Sequence, residues 1–169
     1  MTSPSKTLAQ TANDCVERRY LSHGDFKDER TFGLPEREMT RDAIIRFARR
    51  YDPQPFHLDE RAARASLLKG LSASGWHTCS VFMGALQEGF LQFCRDPRLF
   101  AVDDIKSLFP VRPRDSIGGV VRARATNAAG PWPGTGQVEL DCVATTAEGR
   151  RVMVWKGRLA VPGFQEPHD

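Results

Sequence analysis

The apolar positions of the chain change period near its middle, from intervals of three and four residues to alternation. Residues 41–50 place Ile44, Ile45, Phe47 and Ala48 on one side of a helix. Thr40 offers a hydroxyl to the first free N–H groups, and Asp42 sits at the positive end of the dipole. Pro53 biases Asp52 toward an extended conformation, so this helix stops near Tyr51. Asp59 is placed to cap a short second helix over residues 60–67, closed by Gly70. A third, long helix is predicted over residues 75–95. Within it Trp76, Cys79, Met83, Leu86, Phe90 and Phe93 recur at spacings of 3, 4, 3, 4 and 3 and read as one buried stripe.

The second half alternates. A short strand is predicted over residues 105–109, then a turn near Arg114-Asp115. Residues 116–126 set Ile117, Val121 and Ala123 on one face and Arg122 and Arg124 on the other. The Gly- and Pro-rich residues 130–136 are a loop. Residues 137–146 and 151–161 form two strands of a hairpin turning at Ala147-Glu148-Gly149-Arg150, with Met153, Trp155, Leu159 and Val161 on one face of the second. A long apolar helix cannot rest exposed on a small domain, so the antiparallel sheet is expected to wrap it. That is an α+β chain of the hotdog architecture, a curved antiparallel sheet around a central helix. Such a sheet leaves an open edge, which pairing with a second copy would cover, so a homodimer or a dimer-based oligomer is expected.

The length of 169 residues suits one domain, placed over residues 20–163, with a polar tail over 1–19 and another over 164–169. At 40% apolar and 27% charged residues the composition is globular rather than disordered. No apolar run is long enough to span a bilayer, and the first twenty residues lack a secretory stretch, so a cytoplasmic protein is expected. The net charge of +3 is interspersed, which argues against a nucleic-acid stripe. Cys15, Cys79, Cys94 and Cys142 form no metal-binding or redox pair and are expected to be reduced and mostly buried.

The stretch with chemical content is Tyr51-Asp52-Pro53-Gln54-Pro55-Phe56-His57. Its two prolines predict a stiff, extended connector between helices. Asp52 and His57 can then grip one water between carboxylate and imidazole, and imidazole exchanges protons near neutrality. Bland readings stand beside this one: Asp-Pro is a common turn former, and His57 can simply cap the next helix. Downstream, Ser72-Ala73-Ser74-Gly75-Trp76 opens the long helix. Its first N–H groups have no helical partner, and the bare backbone of Gly75 admits close approach of a carbonyl oxygen. Gly75 alone equally well permits tight helix–sheet packing.

Taken together, Phe47 to His57, with Ala63 six residues after the histidine and Gly75 eighteen after it, resembles the hydratase-2 motif of the MaoC-like dehydratases. That pattern is an aromatic-led helix, then Asp-x-Asn-Pro-apolar-His-x5-Ala/Ser, then a Gly usually found in His-Gly-Met. Ile105-Lys-Ser-Leu-Phe-Pro-Val-Arg-Pro-Arg-Asp-Ser-Ile117 is similar to the family's Pro-Val-x-Pro-Gly-Asp lead-in to a strand, and the match runs over residues 20–162. The resemblance implies hydration of a trans-2-enoyl thioester, or the reverse dehydration. Asp52 and His57 would handle the water and its protons, in roles left open between them, and the Gly75 N–H would hold the thioester oxygen. It implies no cofactor beyond coenzyme A as part of the substrate, and no metal. Gln54 replaces the family's Asn, Arg50-Tyr51 its small residue and Gly, Ser74 its His, and Trp76 its Met. Gln54, Ser74 and Trp76 are therefore candidate substrate contacts.

Arg112 and Arg114 are candidates for the phosphates of coenzyme A, since guanidinium forks suit phosphate. His77 either lines the pocket or packs against the sheet, with packing favoured, and His23 and His168 are read as solvated. Trp76 and the loop around Trp132 are expected to bear on substrate size. Ser72, Ser74 and Ser80 lack a nucleophile elbow. The competing functions are a hotdog thioesterase and a non-catalytic subunit that binds acyl thioesters; no nucleic-acid or membrane partner is expected.

Overall fold

The computed structural model describes residues 20–163; the tails expected at 1–19 and 164–169, with Cys15 and His168, lie outside them. A 3-10 turn, His23–Phe26, leads into β1 (Arg30–Glu38). There follow α1 (Arg41–Tyr51), α2 (Pro55–Leu58), α3 (Glu60–Ala65), α4 (Gly75–Gly89) and β2 (Arg98–Ser107). Three long strands complete the chain: β3 (Ser116–Asn127), β4 (Thr135–Thr146) and β5 (Arg151–Pro162). The sheet order is β1-β3-β4-β5-β2, and every pair is antiparallel. The first helices form as the sequence dictates: the Thr40 hydroxyl accepts from Ala43 N at 3.2 Å, and the Asp59 carboxylate accepts from Ala62 N at 2.8 Å.

The alternation in the second half carries through. Ile117, Val121 and Ala123 of β3, Val138 and Leu140 of β4, and Met153, Trp155 and Leu159 of β5 are buried together on the face toward α4. Phe82 of α4 meets the Trp155 ring edge-on, with centroids 6.2 Å apart. Strands β3 and β4 approach so closely at Gly119 (φ 141°) that a Cβ there would lie 2.0 Å from the Val143 carbonyl oxygen.

Four expectations need correction. Strand β1 was not foreseen: it carries Gly33, Pro35 and four charged residues among nine, and buries only Leu34. Edge position explains it, because Pro35 sits where the register to β3 shifts and no ladder bond is needed. Strand β2 runs from Arg98 to Ser107 rather than over 105–109; it is the opposite edge, exposed along most of its length, and so lacks clean alternation. Helix α4 ends at Gly89, where Phe90 leaves helical geometry (φ −143°), and Leu91–Phe93 is a separate 3-10 turn. Its buried residues are His77, Thr78, Phe82, Ala85 and Leu86; of the expected stripe, Leu86 and Phe90 are fully buried and Cys79 and Met83 pack half-buried against the core, whereas Trp76 and Phe93 are exposed. Trp76 is 66% exposed, so it is no part of the core. Last, the connector at 51–57 is extended only in part: Pro55 stands at the first position of the single-turn α2, where its fixed φ is already helical.

Candidate active site

That extra turn is what assembles the site. Asp52 caps the end of α1 (φ −152°, ψ 70°) with its N–H on the Ala48 carbonyl, and Pro53 turns the chain outward. The α2 turn then swings His57 back, its N–H bonded to the Gln54 carbonyl at 2.9 Å. His57 Nε2 ends 3.5 Å from Asp52 Oδ2, with the two side chains 7% and 19% exposed. His57 Nδ1 lies 2.7 Å from the Ser72 carbonyl oxygen. A carbonyl only accepts, so Nδ1 carries a proton, and in the neutral form of the ring the Nε2 lone pair turns toward the carboxylate. In that form two acceptors face each other across 3.5 Å, an arrangement that a water or hydroxyl donating to both would satisfy.

The carboxylate is held by more than the histidine. The Ser74 hydroxyl donates to Asp52 and is the foremost reason its pKa lies below the ordinary 3.8. The Gln54 amide, 2.8 Å from Oδ1, and the neighbouring His57 add to this, against the opposing effect of burial. Asp52 is therefore ionised at neutral pH. Ser74 also caps α4, accepting from Trp76 N at 3.2 Å. The next residue, Gly75, opens the helix, and its N–H has no acceptor among the described residues. A Cβ at Gly75 would lie 3.1 Å from Ser107 Oγ, so the backbone there faces the end of β2.

Two cavities meet at this point. The larger, of about 620 Å³, has apolar walls that include Phe56, Leu68, Phe109, Val111 and Val152. The smaller, of about 360 Å³, is lined by Asp52, Gln54, Ser74, Trp76 and Ile105. His57, Gly75 and Ser107 line both. A largely apolar chamber and a more polar vestibule thus share one wall, and that wall carries the imidazole and the free N–H.

The sequence model of the MaoC like domain matches residues 26–130, more than half of the chain. The chain belongs to the MaoC-like domain family. A MaoC-like dehydratase from Rhodospirillum rubrum superposes on it with a TM-score of 0.75 at 27% identity, over 86% of this chain and 99% of the other. The R-hydratase PhaJ1 from Pseudomonas aeruginosa shares the fold with a TM-score of 0.62 at 14% identity, over 89% and 93% of the two chains. Among curated proteins, the uncharacterized protein YdeM of Bacillus subtilis is 34% identical over 67 residues. That stretch is 39% of this chain and spans about half, 48%, of YdeM.

Within this MaoC-like domain the structure brings Asp52, His57, Gly75, Gln54, Ser74 and Trp76 round one cavity, the set that the family resemblance implied. Gln54 and Ser74 spend their hydrogen bonds on Asp52, so they serve the carboxylate first. Arg112 and Arg114 line neither cavity. The Arg112 guanidinium is bonded to the carbonyls of Leu68, Gly70 and Leu71, whereas Arg114 stands exposed on a turn at φ 78°. His77 is buried, but against α1 rather than the sheet: it stacks on Phe47 with centroids 4.6 Å apart, and burial, with Arg46 nearby, pushes its pKa below 6.5. His23 is not solvated; its ring packs over Gly136, and its Nε2 is buried without a partner. Cys94 and Cys142 are buried, with the Cys94 thiol pushed up to about 12, and Cys79 is half-buried. Among the described residues no cluster of three or more His, Cys, Asp or Glu could hold a metal, and no helix is long and apolar enough to cross a membrane.

Sequence reasoning did not single out Ser107, although it lies in the Ile105–Ile117 stretch that resembles the family, and it missed the Ser72 carbonyl, which no sequence pattern can announce. It also missed the Leu67–Leu68 and Leu108–Phe109 walls of the larger cavity: Leu67 was expected in a helix and Leu108–Phe109 in a strand, whereas both pairs lie just beyond the ends of α3 and β2.

Proposed function

We propose that the protein adds water to a trans-2-enoyl thioester of coenzyme A, or removes it from the 3-hydroxyacyl thioester. The observation that carries this reading is the pair of facing acceptors, Asp52 Oδ2 and His57 Nε2, beside the free N–H of Gly75. A water seated between them gives one hydrogen to the carboxylate and points the other at Nε2. As its oxygen attacks C3, Nε2 takes a proton, and the C2–C3 π electrons move through C1 onto the thioester oxygen. The Gly75 N–H then holds an enolate oxygen, an interaction whose loss typically costs about 2.7–4 kcal/mol of barrier. Collapse of the enolate, with a proton returned to C2 by the protonated member of the pair, completes the addition. The ionised Asp52 orients the water and stabilises the imidazolium while it exists.

The two cavities fit the two ends of such a substrate. The apolar chamber suits the acyl chain, and the vestibule leads outward to the carrier. The R-hydratase PhaJ1 of Pseudomonas aeruginosa, named for this class of chemistry, has the same fold. A second copy of the chain pairing along the open edge of β2 would cover Val102 and Ile105, which stand 46% and 40% exposed; light scattering reads the dimer directly. The activity is tested with crotonyl-CoA by loss of enoyl absorbance. Asp52→Asn and His57→Ala are expected to lower the rate by about 10²–10⁴-fold with melting temperatures near that of the parent protein. A folded protein inert on enoyl thioesters of every chain length, or one that instead releases free coenzyme A from saturated acyl-CoA, would overturn the reading.

A further inference from the structure

The segment 68–75 supplies three groups on which the His57 and Asp52 site depends. Its Ser72 carbonyl fixes the His57 tautomer, its Ser74 hydroxyl holds Asp52, and its Gly75 N–H is the free donor. No regular element contains residues 66–74, and the segment's local main-chain bonds, Lys69 N to the Ser66 carbonyl and Gly70 N to the Ala63 carbonyl, reach only its start. Two neighbouring residues on the 108–115 connection add to this hold. The Val111 carbonyl accepts from Ala73 N at 2.8 Å. The Arg112 guanidinium donates through one terminal nitrogen to the Gly70 and Leu71 carbonyls, the latter at 3.2 Å, and through the other to Leu68. Arg112 is itself pinned, because its N–H donates to Asp115 Oδ2 at 2.7 Å.

Three carbonyl oxygens turned toward one point repel one another unless a cation sits among them. A guanidinium satisfies them as a planar fork, which the compact ammonium of a lysine does not reproduce. Leu71, the last of the three, is bonded directly to Ser72. The path from Arg112 to the imidazole is therefore two hydrogen bonds joined by one residue step.

We infer that Arg112 is a positioning residue for catalysis: it clamps the 68–71 backbone so that the Ser72 carbonyl holds His57 with its Nε2 lone pair on the reacting water. This rests on the proton-carrying role proposed for His57. It also removes Arg112 from the carrier-binding role that its place in the sequence suggests, since its terminal nitrogens are committed inside the protein.

The test uses Arg112→Lys and Arg112→Ala, with Arg114→Ala as the exposed neighbour and thermal melting to confirm folding. With 15N-histidine protein, and His57→Gln to assign the signal, the His57 ring is expected to be held as the Nδ1–H tautomer in the parent protein. It is expected to become a mixture of tautomers in both Arg112 variants. On crotonyl-CoA, kcat falls by about 10–100-fold with KM little changed, as expected for a misplaced catalytic group. The loss is the same on crotonyl-pantetheine, which lacks the nucleotide phosphates; added guanidinium ion restores part of it in Arg112→Ala, and Arg114→Ala changes nothing. A raised KM confined to the coenzyme A thioester would instead make Arg112 a phosphate ligand and overturn the inference. So would an unchanged ring spectrum in both variants. The tautomer measurement needs no substrate, so it decides the role of Arg112 even if the protein proves inactive on every thioester. Should Arg112→Ala fail to fold, Arg112→Lys carries the same readouts.

Discussion

Replacing Ser74 with alanine separates two interactions that one hydroxyl makes at once. As the cap of α4 it accepts from Trp76 N, a bond whose loss costs about 1 kcal/mol. As a donor to Asp52 it makes a charge-assisted bond, worth about 1.5–3 kcal/mol. The lower end applies, because Asp52 keeps its bond from Gln54 and its side chain is 19% exposed. Together these give about 2–3 kcal/mol at neutral pH, or a melting temperature lower by roughly 5–10 °C for a chain of this size. The two parts differ in pH dependence. A carboxylate whose folded pKa lies below 3.8 contributes stability that is present above that value and is lost as the pH falls through the folded pKa. The deficit of Ser74→Ala should therefore be largest at pH 7. It should begin to shrink below about pH 3.8, the ordinary value, and fall toward the cap alone as the pH passes through the lower folded pKa of Asp52. Urea titrations of both proteins from pH 7 to pH 3 measure the difference directly. A deficit equal at both ends of that range would show that the hydroxyl contributes only as a cap, and the account of the ionised Asp52 would fail.

Two further substitutions probe other links. Gly119→Ala places a methyl 2.0 Å from the Val143 carbonyl oxygen at a φ of 141°, so a loss well above 1 kcal/mol in urea titration, or no folded protein at all, is expected; near-parent stability would refute the tight approach of β3 and β4. Val152→Phe adds bulk at the wall of the 620 Å³ chamber and is expected to favour shorter acyl chains, raising the ratio of kcat/KM for crotonyl-CoA over octenoyl-CoA by about tenfold; an unchanged ratio would place the acyl chain elsewhere.

What could be read from the sequence divides along a physical line. Helix α1 and its cap, the α3 cap, the β4–β5 hairpin and the alternation of β3 depend on neighbours within a few residues, and all of them stand in the structure. The Asp52–His57 pairing was legible for the same reason: two prolines and five residues leave the chain few ways to run. Strands β1 and β2 were hidden or shortened because they are edges, where charge and proline are tolerated and burial leaves no period. The stripe of α4 was legible in its middle and misread at its ends: Cys79, Met83, Leu86 and Phe90 pack in or against the core, whereas Trp76 opens on the vestibule, Phe93 is exposed, and Thr78 and Ala85 also turn inward. The work of Arg112 could not be read at all. Its partners are main-chain oxygens some forty positions away, and a carbonyl has no letter in the sequence.

The shared wall of His57, Gly75 and Ser107 has one more consequence. Residues that shape the oily side, such as Val152 and Phe109, do not border the wet side, and Gln54 and Trp76 do not border the oily one. A lineage can therefore retailor the tail its enzyme accepts without disturbing how the handle is presented, or do the reverse, while the reaction at the partition stays as it is.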